Sequence, residues 1–152
     1  MPVLETTNFG TIFFPPESVF EFPRGLPGFE ERRRFVPVQN PQTAPIVFLQ
    51  SLEEPSLCFV TLPVLVVDPQ YRLRVMEQDL EVLLWQANRQ PRVGEDVLCL
   101  AVLSFQPGGP TANLLAPVVV DLNNHRAVQA VDAESDYSHQ HALFPQEAPV
   151  CS

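Results

Sequence analysis

Short apolar runs separated by prolines dominate the hydrophobic pattern of this chain. The longest run, Val97 to Leu103, is continuously apolar, which is typical of a central strand buried on both faces. The 17 prolines lack an amide donor and disfavour helix at the preceding residue, so they exclude a long helix through most of the chain. The apolar runs predict β-strands over residues 10–14, 19–22, 35–38, 46–50, 57–62, 72–75, 97–105, 113–116, 118–121 and 127–131.

One segment has helical spacing instead. Leu80, Leu83 and Leu84 recur at i, i+3 and i+4, and acidic residues precede them at the favourable N-terminal end. The spacing predicts a helix over residues 77–87. A single helical turn is also predicted over residues 30–34, where acidic residues lead and arginines follow.

Many short strands with one helix predict an all-β, mostly antiparallel domain, either a small barrel or a sandwich, with one short helix around residues 77–87. The sequence has no internal repeat and no linker composition. We therefore expect a single domain over residues 1–144. The small, polar, proline-containing segment 145–152 is expected to be a disordered tail.

The charge is strongly acidic, with 18 aspartates and glutamates against nine basic residues, and every basic residue is an arginine. The net charge of −9 argues against direct binding to nucleic acid or to an anionic membrane, because both require a basic surface. A negative field raises encounter rates with basic proteins. Plain solubility is the alternative explanation, and composition alone does not separate the two.

The three cysteines do not predict a disulfide framework, because their number is odd and no pair has CxxC spacing. Cys58 and Cys99 lie inside apolar runs, where cysteine behaves as a small buried hydrophobe. The N-terminus has no secretion signal, and no apolar run approaches the ~18 residues of a membrane span. The expected localisation is cytoplasmic.

Candidate catalytic and metal-binding residues are weak in this sequence. His139 and His141, with Asp136 and His125 nearby, have the residue types of a metal site, but no third ligand has suitable spacing. No serine lies in a G-x-S-x-G context, and the adjacent carboxylates do not form an obvious acid–base pair. The arginine cluster 32–34 follows two glutamates, which favours intramolecular ion pairs. The sequence predicts no enzyme, no cofactor and no metal.

Four segments, in order along the chain, resemble the FliW family of flagellar assembly factors. The most specific is the turn PRGLPGF at residues 23–29, and the others are FLQSL at 48–52, TANLLAPVVV at 111–120, and the C-terminal Tyr137-Ser138 with His141. Together they span nearly the whole chain. Ala142 stands where the family pattern has proline, and the turn at residues 123–126 lacks an expected glycine.

The resemblance implies a barrel-like antiparallel domain that acts through protein partners. A FliW-like protein binds the translational regulator CsrA and antagonises its repression of flagellin mRNA translation, and flagellin alternately sequesters it. A dedicated cytoplasmic flagellin chaperone without CsrA antagonism is the alternative. A small-ligand barrel or hydrolase with a pocket near His139 and His141 is a third hypothesis.

Partner-binding residues are predicted from charge and apolarity. An apolar groove for flagellin is expected from exposed phenylalanines between residues 20 and 35, and Asn113 is expected to order its own loop. If residues 132–136 are extended, their three acids share one face. The acids predicted to bind CsrA lie in loops and are Glu53, Glu54, Glu95, Asp96, Asp132, Glu134 and Asp136.

Overall fold

The computed structural model describes residues 2–86 and 89–144, and within them short antiparallel strands predominate. This confirms the all-β, mostly antiparallel prediction. A 3₁₀ turn at Pro16–Ser18 and two short helices, α1 (Val64–Val67) and α2 (Glu77–Val82), complete the secondary structure. The strands are β1 (Val3–Thr6), β2 (Gly10–Phe13), β3 (Phe20–Glu21), β4 (Arg34–Val38), β5 (Val47–Ser51), β6 (Cys58–Pro63), β7 (Val97–Gln106), β8 (Gly109–Ala112), β9 (Val118–Asp121), β10 (Ala127–Gln129) and β11 (His141–Ala142).

Seven of these strands form a barrel in the order β10-β9-β7-β6-β5-β4-β3. An isolated bridge between Glu21 and Arg126 joins the two end strands, and the Glu21 N–H donates to the His125 carbonyl at 2.9 Å. Strand β8 pairs with the second half of β7, and β11 pairs with β8. The barrel therefore closes through a single short seam between β3 and β10.

Alternating residues of the barrel strands fill its interior. Leu100 of β7, Leu49 of β5 and Phe35 of β4 are fully buried there, and the Phe22 ring meets the Phe35 ring edge-on at 5.3 Å. Aliphatic and aromatic side chains of this size each stabilise the fold by about 1.5–3 kcal/mol on burial.

The remaining apolar face of the sheet is covered by the segment 64–85. Leu80 and Leu83 of this segment pack in one buried cluster with Cys99 of β7 and Val119 of β9. Strand β7 is therefore buried on both faces along its first half. This confirms the prediction made from the continuous apolar run.

Helix α2 is shorter than the sequence spacing predicts, because it ends at Val82. Leu84 adopts a left-handed conformation with φ 63°, and the Trp85 N–H donates to the Leu80 carbonyl at 2.9 Å. This is the hydrogen bonding of a Schellman cap, which satisfies the last carbonyls and stops the helix. Residue 87, the predicted end, lies outside the described residues, as does the predicted tail 145–152.

Three predictions of secondary structure, in separate parts of the chain, are wrong. Residues 72–75 form no strand, because Val75 hydrogen bonds with the Gln90 side chain through both its N–H and its carbonyl. Residues 113–116 form a loop between β8 and β9, in which the Ala116 N–H donates to Asn113 Oδ1 at 2.9 Å. The segment 30–34 makes a turn and then enters β4.

The N-terminal hairpin of β1 and β2 was only half predicted, since the sequence indicated β2 alone. It forms a separate two-stranded sheet, and the Phe9 ring in its turn meets Phe48 of β5 edge-on at 5.1 Å.

Among the described residues, no helix has the length and apolar character needed to cross a membrane.

Candidate protein-binding site

The seven acids predicted to bind a partner lie at opposite ends of the barrel. Strands β5, β7 and β10 run in the same direction, because each is separated from the next by one antiparallel neighbour. We call the end where these strands finish the mouth end. Glu53 and Glu54 follow β5 and the 132–136 acids follow β10, so both groups lie at the mouth end. Glu95 and Asp96 precede β7 and lie at the far end.

Glu53 and Glu54 are bound by the arginine cluster. The backbone N–H groups of Arg33 and Arg34 donate to Glu53 Oε1 at 3.1 and 2.9 Å, and Arg32 Nε lies 3.3 Å from Glu54 Oε2. This confirms the intramolecular pairing expected for the cluster. The two carboxylates order the chain before β4, and their charge is largely neutralised locally.

Asp96 and Glu95 are held in a similar way at the far end. The Arg92 N–H donates to Asp96 Oδ2 at 2.9 Å, and Arg89 Nη2 lies 3.6 Å from Asp96 Oδ1. Arg92 Nε also lies 3.1 Å from Glu95 Oε2. Asp96 is mostly buried, and these contacts order the turn before β7.

Residues 132–136 are the least neutralised of the three acidic groups, but they are not extended. The Ser135 N–H donates to the Asp132 carbonyl at 3.0 Å, and the Glu134 N–H donates to Asp132 Oδ1 at 3.1 Å, which defines a turn. The condition for three carboxylates on one face is therefore not met. Glu134 pairs with Arg74 at 3.2 Å in an exposed position, and Asp136 is exposed with no ion pair among the described residues.

The PRGLPGF turn fixes the wall of the barrel seam. Arg24 forms an ion pair with the buried carboxylate of Asp79 on α2, and Leu26 inserts into the barrel interior at 3% exposure. Gly25 has φ 63°, and a Cβ there would lie 2.5 Å from the Glu30 backbone. Only glycine fits this position without a backbone shift.

An apolar groove lies beside the end of β10, where two cavities flank the strand. The inner cavity, about 380 Å³, opens onto the barrel interior at Phe59 and Val102. The outer cavity, about 250 Å³, adjoins Val128 and Arg24. Both cavities are lined by Pro27, Gln129 and Val131. We call the two cavities together the seam groove.

The seam groove was not predicted from the sequence, which pointed to exposed phenylalanines instead. That expectation is wrong for Phe20, Phe22 and Phe35, which are buried because they fill the barrel, and only Phe29 is partly exposed at 38%. The groove contains residues from five separate segments, and the sequence motifs had marked two of them, PRGLPGF and TANLLAPVVV.

Two cysteines and two histidines of the described residues were candidates for catalysis or metal binding. Burial raises the pKa of the Cys58 thiol to about 11 and that of Cys99 to about 12, so neither is an activated nucleophile. His139 and His141 are exposed, and an apolar cavity of about 260 Å³ adjoins His141 without reaching His139. In residues 2–86 and 89–144, no group of three metal-ligating side chains comes together.

Comparison with known proteins decides the family. A family model described as FliW protein matches residues 3–143. The chain belongs to the FliW family. The flagellar assembly factor FliW of Thermotoga petrophila is 37% identical over 145 residues, which covers 90% of this chain and 90% of the relative. The flagellar assembly factor FliW of Desulfitobacterium hafniense is 30% identical over 143 residues, covering 94% and 91%.

A solved structure supports the same assignment for the fold. A crystal structure of the flagellar assembly factor FliW superposes with a TM-score of 0.82 at 28% identity, and the match covers 96% of this chain and 99% of the other. The FliW-like segments PRGLPGF and TANLLAP, which are distant in sequence, meet in this chain at the seam groove through Leu26, Pro27, Asn113 and Ala116. Two of the FliW-like segments therefore line the apolar seam groove.

Proposed function

We propose that this chain is a cytoplasmic, non-enzymatic flagellar assembly factor that binds the translational regulator CsrA. In this proposal it antagonises CsrA repression of flagellin mRNA translation, and flagellin alternately sequesters it. Membership of the FliW family supports the assembly role. The observation that carries the CsrA part is the acidic group at the mouth end, in which Asp132 is half-buried and Glu134 and Asp136 are exposed.

The acidic groups differ in how much negative charge they present to a partner. Glu53, Glu54, Glu95 and Asp96 lie against arginines or backbone amides, which reduces the field that each projects. The 132–136 group has one arginine for three carboxylates. CsrA presents a basic RNA-binding surface, so this group is the part of the protein best suited to steer and hold it.

The experiment measures CsrA binding by calorimetry at low and high salt with two matched triple variants. The first combines Asp132→Asn, Glu134→Gln and Asp136→Asn, and asparagine at 132 retains an acceptor for the Glu134 N–H. The second removes three exposed charges elsewhere, at Glu17, Glu77 and Glu81. Both variants have the same net charge.

We expect the first triple variant to bind CsrA about tenfold more weakly, with a smaller salt dependence, and the second to bind nearly as well as the wild type. Equal weakening by both variants would show that net charge alone matters. Adding flagellin to the CsrA complex tests the exchange. If flagellin binds and CsrA does not, the protein is a flagellin chaperone without CsrA antagonism.

A further inference from the structure

The N-terminal hairpin of β1 and β2 is only lightly attached to the barrel. Within the described part of the chain, these two strands pair only with each other. Among the same residues, one hydrogen bond joins the hairpin to the barrel, from the Thr7 N–H to the Pro55 carbonyl at 3.1 Å. The Phe9 and Phe48 rings add their edge-on contact. An isolated two-stranded hairpin is marginally stable in water, so this segment depends on docking for its order. We call residues 2–14 the strap.

The strap has apolar side chains on both of its faces. Leu4 and Ile12 are cross-strand partners on one face and are partly buried. Val3 and Phe13 are partners on the opposite face and are 52% and 67% exposed. A strand pair with this pattern specifies only weakly which of its faces is docked. The hydrophobic pattern therefore gives the strap a limited preference for the closed position.

A buried amide lies under the closed strap. Phe48 and Gln50 of β5 point away from the barrel interior, because Leu49 between them belongs to the interior cluster. Gln50 is fully buried, and its Nε2 donates at 3.1 Å to the same Pro55 carbonyl that accepts the Thr7 N–H. Gln50 Oε1 is buried without a hydrogen-bond partner among the described residues. Burying an acceptor without a donor disfavours the closed state relative to a state in which the oxygen is hydrated.

The linker after the strap lets it move without disturbing the barrel. The chain leaves the strap through Pro15 and Pro16. The N–H and Oγ of Ser18 both donate to the Pro15 carbonyl, at 3.0 and 2.7 Å, so the turn of the linker is held by its own hydrogen bonds. Opening the strap therefore breaks no strand pairing of the barrel.

We infer that the strap is a conformational switch, which opens as one unit and uncovers the outer face of β5 and β6 at Phe48, Gln50 and Cys58. Cys58 is the cross-strand partner of Gln50, so the two side chains lie on the same face of the sheet. Segments with few stabilising contacts open far more often than a whole protein unfolds. The open strap presents this face together with its own Leu4 and Ile12, and the closed strap hides both. The inference does not depend on the proposed function.

The test measures opening in two ways in a Cys151→Ser background. Amide hydrogen exchange of β1 and β2 reports opening of the strap. Labelling of the Cys58 thiol, followed by mass spectrometry, reports whether opening uncovers the face beneath it. Cys99 on β7 is 1% exposed inside the fold, so its labelling in the same sample reports global unfolding.

Two phenylalanine variants separate the strap from the rest of the protein. Phe9→Ala removes the ring contact with Phe48 and weakens the closed state. The matched control is Phe29→Ala, which removes a similar edge-on pair, Phe29 with Phe59 at 5.4 Å, outside the strap. Thermal unfolding checks that both variants are folded.

In the protein with wild-type Phe9, we expect the strap amides to exchange about tenfold faster than those of β7, or faster still. Phe9→Ala should raise both the exchange of the strap amides and the labelling of Cys58 about tenfold, with Cys99 labelling unchanged. Phe29→Ala should leave the exchange of the strap amides as it is without the substitution.

Three results overturn the inference. The first is exchange of the strap amides in step with those of β7, because the strap would then open only when the whole protein unfolds; this comparison needs no phenylalanine variant. The second is faster strap exchange in Phe9→Ala without faster Cys58 labelling, which would show that the strap covers a different face. The third is an equal rise in Cys58 and Cys99 labelling, which would assign the effect of Phe9→Ala to global destabilisation.

Discussion

The ion pair between Arg24 and Asp79 connects the PRGLPGF turn to helix α2, and its removal has a calculable effect on stability. Asp79 is only 5% exposed, whereas the Arg24 side chain is 49% exposed. Replacing Arg24 by methionine preserves the aliphatic stem and leaves a buried carboxylate without its cation. Breaking a fully buried ion pair costs about 3–5 kcal/mol.

The cost is smaller here, because water reaches half of the Arg24 side chain. We expect Arg24→Met to lower the free energy of unfolding by about 2 kcal/mol. For a chain of this length, that loss corresponds to a fall in Tm of about 4–8 °C. Asp79→Asn removes the buried charge, so adding it to Arg24→Met should recover part of the lost stability.

The assay is urea unfolding of the wild type, both single variants and the double variant, which together form a double-mutant cycle. A coupling energy of about 1.5 kcal/mol is expected between Arg24 and Asp79. The exposed pair of Arg74 and Glu134 provides the control, and Arg74→Met should cost less than about 0.5 kcal/mol. A coupling energy near zero for Arg24 and Asp79 would refute the argument that this pair fixes the turn.

Three further outcomes follow from the geometry and from the raised pKa values. Gly25→Ala should destabilise the protein more than Gly28→Ala. Both glycines have positive φ, but only Gly25 has no room for a Cβ. The Tm values of the two variants, measured by thermal unfolding, test this difference. Thiol modification at pH 8 in a Cys151→Ser background tests the raised pKa values. Cys58 should react about a hundredfold more slowly in the native protein than in the urea-unfolded chain, because burial raises its pKa from 9.0 to about 11. Native Cys99 should react more slowly still, because its pKa is about 12. Because both folded-state pKa values are raised, the unfolded chain loses these protons first, and the free energy of unfolding should fall as the pH rises from about 9 towards 12.

The strands were predictable where alternation or a continuous apolar run reflected burial, as in β5, β6 and β7. The same pattern misled at Arg72 to Val75, because an extended segment that lies across the outer face of a sheet needs the same alternation as a paired strand. Strand β8 was missed because Gly109 and Pro110 indicate a turn, although Pro110 pairs with Phe105 in the hairpin.

The candidate site was less predictable than the fold, because its properties depend on contacts between distant residues. The sequence identified Glu53 as a loop acid but could not reveal that the amides of Arg33 and Arg34 bind it. The seam groove is likewise a product of tertiary structure, since Pro27, Phe59 and Val131 come from separate segments. Sequence motifs marked two of the segments that line the groove, and the other three are known only from the folded chain.

The bridge between Glu21 and Arg126 joins the first and the last third of the chain, and this has a consequence for synthesis. During synthesis, β3 emerges from the ribosome long before β10. Until residues near 126 emerge, the sheet cannot close, and its apolar interior is exposed to solvent. Such long-range closure is slow relative to local contacts. The newly made chain therefore passes through a stage in which the surfaces that later form the seam are open to aggregation or to early capture by another protein.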